Sequence, residues 1–114
     1  MILSREKCEA CRQDSLPVTN EEISKLQKNV PLWSLKRDEK VLYLHRIFKI
    51  GNFATAMAFA GRVGDAAEEE GHHPRLTIVW GRVEVSWWTH KIGGLHRNDF
   101  IMAAKTDEIY AGIV

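Results

Sequence analysis

The sequence predicts an α+β fold, a single four-stranded antiparallel sheet with about three helices packed on one face. Three observations carry that expectation. Apolar residues recur at helical spacing in three segments, they alternate in two pairs of strand-like runs, and the order along the chain is helix, two strands, helix, two strands, helix. Four strands with one apolar face need cover, and helices with one apolar stripe supply it.

The first 17 residues, which begin "MILSREKCEACRQD", are polar and aperiodic and read as a loosely held leader before one domain over 18–114. In "TNEEISKLQKNVP", Thr19 and Glu22 have the spacing of a capping box, Ile23 and Leu26 form a short apolar stripe, and Pro31 ends the helix. The stretch "WSLKRDEKVLYLHRIFK" holds two runs around the polar turn "RDEK". In the second run Leu42, Leu44 and Phe48 alternate with Tyr43, His45 and Ile47, so it reads as half of a hairpin.

Asn52 suits the cap of a second helix, "FATAMAFAGRVGDAAEEE", with Phe53, Met57, Ala60 and Val63 at helical spacing. Gly61 and Gly64 weaken that helix but would allow close packing on a sheet. Gly71 is a left-handed stop and Pro74 cannot continue a helix, so the break falls at His72 and His73. "LTIVW" and "VEVSWWT" then flank "GR" as a second hairpin, with Val83, Val85 and Trp87 opposed to Glu84, Ser86 and Trp88. The closing helix carries Phe100, Ala103, Ala104 and Ile109, with Asn98 or Asp99 near its start.

Bulk properties remove several function classes. With 45% hydrophobic residues among 114, the chain can bury one modest core. Lys and Arg total 16 against 15 Asp and Glu, so the net charge of +1 offers no footprint for nucleic acid or an anionic membrane surface. No apolar run approaches the roughly 18 residues of a membrane span, and a cytoplasmic location is expected. Cys8 and Cys11 have half the spacing of a zinc site, but no second ligand pair follows, and they read as an incidental reduced pair.

The stretch "EEEGHHP" breaks a local rule. Carboxylates disfavour a helix carboxyl end, yet Glu68, Glu69 and Glu70 stand there together, directly before His72 and His73. Glu68 lies four residues before His72, a spacing at which a continuing helix would make them neighbours, and a carboxylate beside imidazole fixes its charge and tautomer. His90 ends "VEVSWWTH" on the face of Glu84, Ser86 and Trp88, and Asp99 opens the last helix. A metal site is not expected, because the helical His-Glu-x-x-His spacing is absent; nor is a nucleophile elbow or a phosphate loop present. What is left is acid and base catalysis by histidine without a cofactor.

These residues resemble the pterin-4a-carbinolamine dehydratases, bacterial members in particular. The family signature is matched by Glu68, by "HHP" from His72 to Pro74, and by Trp80, His90 and Asp99 in order and at the right intervals. "CEACR", "PLW", "WGRVEVSWWTH" and "GLHRNDFIMAAKTDE" extend the likeness over nearly the whole chain. The resemblance implies a lyase that dehydrates 4a-hydroxytetrahydropterin to the quinonoid dihydropterin, in service of phenylalanine hydroxylase. It implies acid and base roles for His72 and His90, a binding role for His73, and support of an imidazole by Asp99. Glu68, Pro74, Trp33 and Trp80 would contribute to substrate binding, with Trp33 at the pocket rim, and no cofactor or metal would be needed. A homodimer or tetramer is expected on the same ground. The alternatives are a non-catalytic pterin-binding or dimerisation scaffold, and a dehydratase-like protein of molybdopterin metabolism.

Overall fold

The computed structural model describes residues 2–9 and 15–113, so Cys11 lies outside the described residues. Helix α1 (Asn20–Gln27) starts at the expected capping box: Thr19 Oγ1 accepts the Glu22 amide and the Glu22 carboxylate accepts the Thr19 amide. The first hairpin follows as β1 (Ser34–Asp38) and β2 (Val41–Lys49), closed by Glu39 and Lys40. Helix α2 (Phe53–Glu70) is capped by Asn52, whose side chain accepts the Thr55 amide, and ends at Gly71 with a φ of 63°, a conformation glycine adopts without strain. Strands β3 (Arg75–Val79) and β4 (Arg82–Trp87) make the second hairpin, and α3 (Arg97–Ile113) closes the chain.

All pairings are antiparallel and the strand order is β1-β2-β4-β3. Register places Leu44 opposite Trp87, Phe48 opposite Val83 and Ile78 opposite Val83, so these side chains share one face. Helices α2 and α3 cover that face and α1 packs on α3. The α+β class and its single sheet are therefore as the sequence predicts.

The apolar stripe of α2 differs from the expected one. Ala56, Phe59, Ala60, Val63 and Ala67 face the sheet, whereas Phe53 and Met57 are 47% and 48% exposed. Phe59 instead sits against Phe48 and Tyr110, with ring centroids 4.9 and 5.7 Å away. Several registers of this alanine-rich helix give an acceptable stripe, and the aromatic cluster selects one. Gly61 and Gly64 serve no close approach, since a side chain added at either would meet nothing within 4 Å.

Of the leader, the described residues 2–9 are held rather than loose. Leu3, in a 3-10 turn (Leu3–Arg5), is buried, Ser4 donates to Glu108, and Lys105 donates to the Ser4 carbonyl. Arg97 grips both Glu6 oxygens at 2.9 and 2.7 Å. A polar segment without periodicity is here positioned by polar anchors on α3, which period counting does not detect.

His45, on the sheet face away from the helices, is buried with Glu84 Oε1 3.2 Å from its Nε2, but off the hydrogen-bonding direction, so neither ring nitrogen is hydrogen-bonded. Burial, and then the nearby Lys36, push its pKa below the usual range against the pull of Glu84. The unfolded chain thus binds a proton at His45 that the folded protein resists. Stability present above about pH 6.5 is lost as pH falls from that value toward the lower folded pKa.

Two outcomes follow from this packing. Phe59→Ala is expected to cost about 3 to 5 kcal/mol in chemical denaturation and Phe53→Ala only about 0.5; equal losses would contradict the register of α2. His45→Gln is expected to flatten the decline in stability below about pH 6.5, and parallel curves for variant and wild type would show that His45 has no part in it.

Candidate active site

The site forms where α2 ends, β3 begins, β4 ends and α3 begins. Gly71 reverses the chain, its amide and that of His72 bond to carbonyls in the last turn of α2, and Pro74 leads straight into β3. This delivers the His72 ring onto Trp87 at the end of β4, nearly parallel at 8° with centroids 5.7 Å apart. Trp87 is itself fixed, because Nε1 donates to Thr106 Oγ1, which donates on to the Met102 carbonyl.

Asp99 holds the other edge of the His72 ring. His72 Nε2 lies 2.6 Å from Asp99 Oδ1, while Oδ2 accepts from Thr89 Oγ1 at 2.8 Å and from the His96 amide at 2.9 Å. Asp99 is fully buried and receives donors on both oxygens, so it acts as an acceptor and His72 carries its proton on Nε2. In the neutral tautomer with that proton, Nδ1 is the nitrogen left without one.

The carboxylate beside His72 is thus Asp99 and not Glu68. The left-handed turn at Gly71 ends the helix before a four-residue neighbour can form, and Glu68 pairs with His73 instead, at 3.5 Å on the surface. The third acid, Glu70, accepts the Cys8 amide at 2.6 Å and anchors the leader. Asn98 completes the anchor, its side chain accepting from the Glu9 amide and donating to the Glu9 carbonyl.

His90 also departs from expectation. Strand β4 stops at Trp87, Thr89 bridges to Gly94, and His90 opens a 3-10 turn (His90–Ile92), so it does not continue the alternation of Glu84 and Ser86. The ring rests against Trp88, 4.6 Å between centroids, and stays exposed.

His72, His73 and His90 line one cavity of about 490 Å³, together with Thr89, Glu70 and the leader residues Cys8 and Glu9. That is room for a bicyclic ligand. Trp33 and Trp80 are not part of it. Trp33 is a core residue, edge-on to Phe48, with Nε1 donating to Asp107; that carboxyl is pushed above its usual range by burial, against the hydrogen bonds from Trp33 and Arg46. Asp107 is eight residues along α3 from Asp99, about 12 Å at 1.5 Å per residue. Trp80 is 74% exposed at the β3–β4 turn, beyond the far end of a strand, roughly 17 Å from the site at 3.3 Å per residue. Pattern reading missed His96 and Glu70 as supports of the site. The His96 to Asp99 interval, that of a capping box, was the available signal for the first.

Among the described residues no cluster of three or more His, Cys, Asp or Glu is arranged to hold a metal ion, and no helix is long and apolar enough to cross a membrane.

The chain is similar to known proteins over most of its length. A family model described as pterin 4 alpha carbinolamine dehydratase matches residues 16–109. A protein of Microcystis aeruginosa is 53% identical over 108 residues, 95% of this chain and 93% of that one. One of Saccharophagus degradans is 52% identical over 110 residues, 96% and 97% of the two chains. Both carry names that place them in the same family. Among solved structures, a protein of Brucella melitensis titled transcriptional coactivator/pterin dehydratase superposes with a TM-score of 0.74 at 28% identity, covering 82% of this chain and 98% of that one. A pterin dehydratase-like protein described as a RuBisCO assembly factor of the alpha-carboxysome shares the fold, with a TM-score of 0.59 at 23% identity over 68% of this chain and 88% of its own. By the span of the family match and the identity to full-length relatives, the chain belongs to the pterin 4 alpha carbinolamine dehydratase family.

Proposed function

We propose that the protein dehydrates a 4a-hydroxytetrahydropterin, with His72 and His90 as the proton-transfer groups. The observation that carries this reading is the convergence of three histidines on one cavity, one of them clamped by a buried carboxylate. The reaction breaks the bond between C4a and its hydroxyl oxygen, which leaves as water after gaining a proton. The neighbouring N5 loses its proton, and the electron pair of that N–H bond becomes the new double bond between N5 and C4a.

His72, with Nε2 committed to Asp99, has Nδ1 left to take the N5 proton. His90 is exposed in the same cavity and suits the role of acid toward the departing hydroxyl. Imidazole serves both as proton acceptor and as proton donor, each transfer at a gain of about 10²- to 10⁴-fold. His73, half exposed and steadied by Glu68, orients the substrate at the rim, and Pro74, which favours extended backbone at His73, leads the chain into β3. No step calls for a metal or an organic cofactor. The substrate is of the kind formed by phenylalanine hydroxylase, and the quinonoid product would go to a reductase.

The solved relatives carry titles that name a coactivator and an assembly factor, so a binding role is the second reading. The clamp on His72 favours catalysis, since a scaffold has no use for a fixed imidazole tautomer beside a cavity.

The test is a coupled assay with phenylalanine hydroxylase and excess pterin, with chelator present, following decay of the 4a-carbinolamine absorbance. Wild type is expected to accelerate the decay. His72→Ala is expected to lose about 10²- to 10⁴-fold of that acceleration while it still folds, its thermal midpoint lowered by several degrees because Asp99 Oδ1 loses its donor. No acceleration by folded wild type would overturn the proposal, as would a fully active His72→Ala.

A further inference from the structure

His96 is buried and does not line the cavity, yet it is bonded to the residue that clamps His72. It stands immediately before α3 and occupies the N-cap position. Its ring Nδ1 accepts the Asn98 amide at 3.0 Å, its carbonyl accepts the Asp99 amide at 3.0 Å, and its own amide donates to Asp99 Oδ2 at 2.9 Å. The Asp99 bond back to the His96 amide is that of a capping box, with aspartate as the acid three residues on, while the cap side chain, here histidine where Ser, Thr, Asp or Asn is usual, accepts the second amide of the helix rather than the third.

An imidazole nitrogen accepts a hydrogen bond only when it carries no proton. The geometry therefore assigns His96 the neutral tautomer protonated at Nε2, the nitrogen 3.5 Å from Glu9 Oε1. The consequence reaches the active site through one carboxylate. Among the described residues Asp99 Oδ2 is held by two donors, Thr89 Oγ1 and the His96 amide, and the torsion that turns the carboxylate is otherwise soft.

We propose that His96 is a positioning residue for His72: as a neutral cap on α3 it fixes the amide that holds Asp99 Oδ2, and so aims Oδ1 at His72 Nε2. The inference rests on His72 as a proton-transfer group only in its kinetic consequence. The structural claim stands by itself.

The experiment has an arm for each. In nitrogen-15 labelled wild type without substrate, long-range proton–nitrogen spectra are expected to show His96 protonated at Nε2 and bare at Nδ1, and His72 with a slowly exchanging Nε2 proton. His96→Ala is expected to speed exchange of that His72 proton and to lower kcat about tenfold, the usual lower bound for loss of an outer support, with KM within about twofold. His96→Asn, which supplies a favoured cap acceptor without an imidazole, is expected to restore both. A His96 ring protonated at Nδ1 in wild type would overturn the proposal. So would an unperturbed His72 signal in His96→Ala, or a folded His96→Asn as defective as the alanine variant. If wild type has no dehydratase activity, the spectra still decide the positioning claim, and the failure belongs to the proposed reaction.

Discussion

The buried carboxylate of Asp99 is the constraint on which the site depends. A carboxylate removed from water is costly unless its oxygens are satisfied, and here the donors come from three separate places: the exit of α2 through His72, the end of β4 through Thr89, and the entry of α3 through His96. None of these elements can shift alone without leaving part of a buried charge unpaired, a penalty of about 1 to 3 kcal/mol or more. The same bonds that close the first turn of α3 therefore align the imidazole. Cap and clamp are one group.

The three glutamates at the end of α2 make sense in the same terms. Their clash with the helix dipole is small at the surface, about 0.3 to 1 kcal/mol each. Glu70 offsets part of it by accepting the Cys8 amide, and Glu68 by steadying His73. Cys8 and Glu9 thereby become a wall of the cavity, although both precede residue 16, where the family match begins. Anchors on α3 from Arg97 and Asn98 keep that wall in register with Asp99, which follows them on the first turn of the same helix.

Much of this was legible in the sequence because it depended on local rules. The capping box at Thr19, the Asn52 cap, the Gly71 stop and the alternation in β4 each involve residues within a few positions of one another. Failures came where distant contacts chose among locally equivalent options. Phe59 replaced Phe53 and Met57 in the core because Phe48 and Tyr110 were there to receive it. The four-residue spacing of Glu68 and His72 would make them neighbours only on a continuing helix, and the turn at Gly71 sends the two apart. The resemblance implies pocket roles for Trp33 and Trp80, but neither lines the cavity, one lying in the core and the other exposed at the β3–β4 turn. His96 went unread because histidine is not among the residues that usually cap a helix.

The histidines divide by what holds them. His72 lies between Asp99 and Trp87, and Trp87 is tied through Thr106 to the backbone of α3, so this ring is as fixed as the core beneath it. His73 and His90 are exposed, one beside a surface carboxylate and the other against Trp88. An acid and base pair that must remove one proton and deliver another to a departing oxygen gains from that asymmetry. The group that meets an atom of a rigid ring benefits from a preset position, since no reorganisation is needed at the moment of transfer. The group that follows a leaving hydroxyl must accommodate its movement and exchange protons with solvent between turnovers. Burial beside Asp99 suits the first task, and exposure at the mouth suits the second.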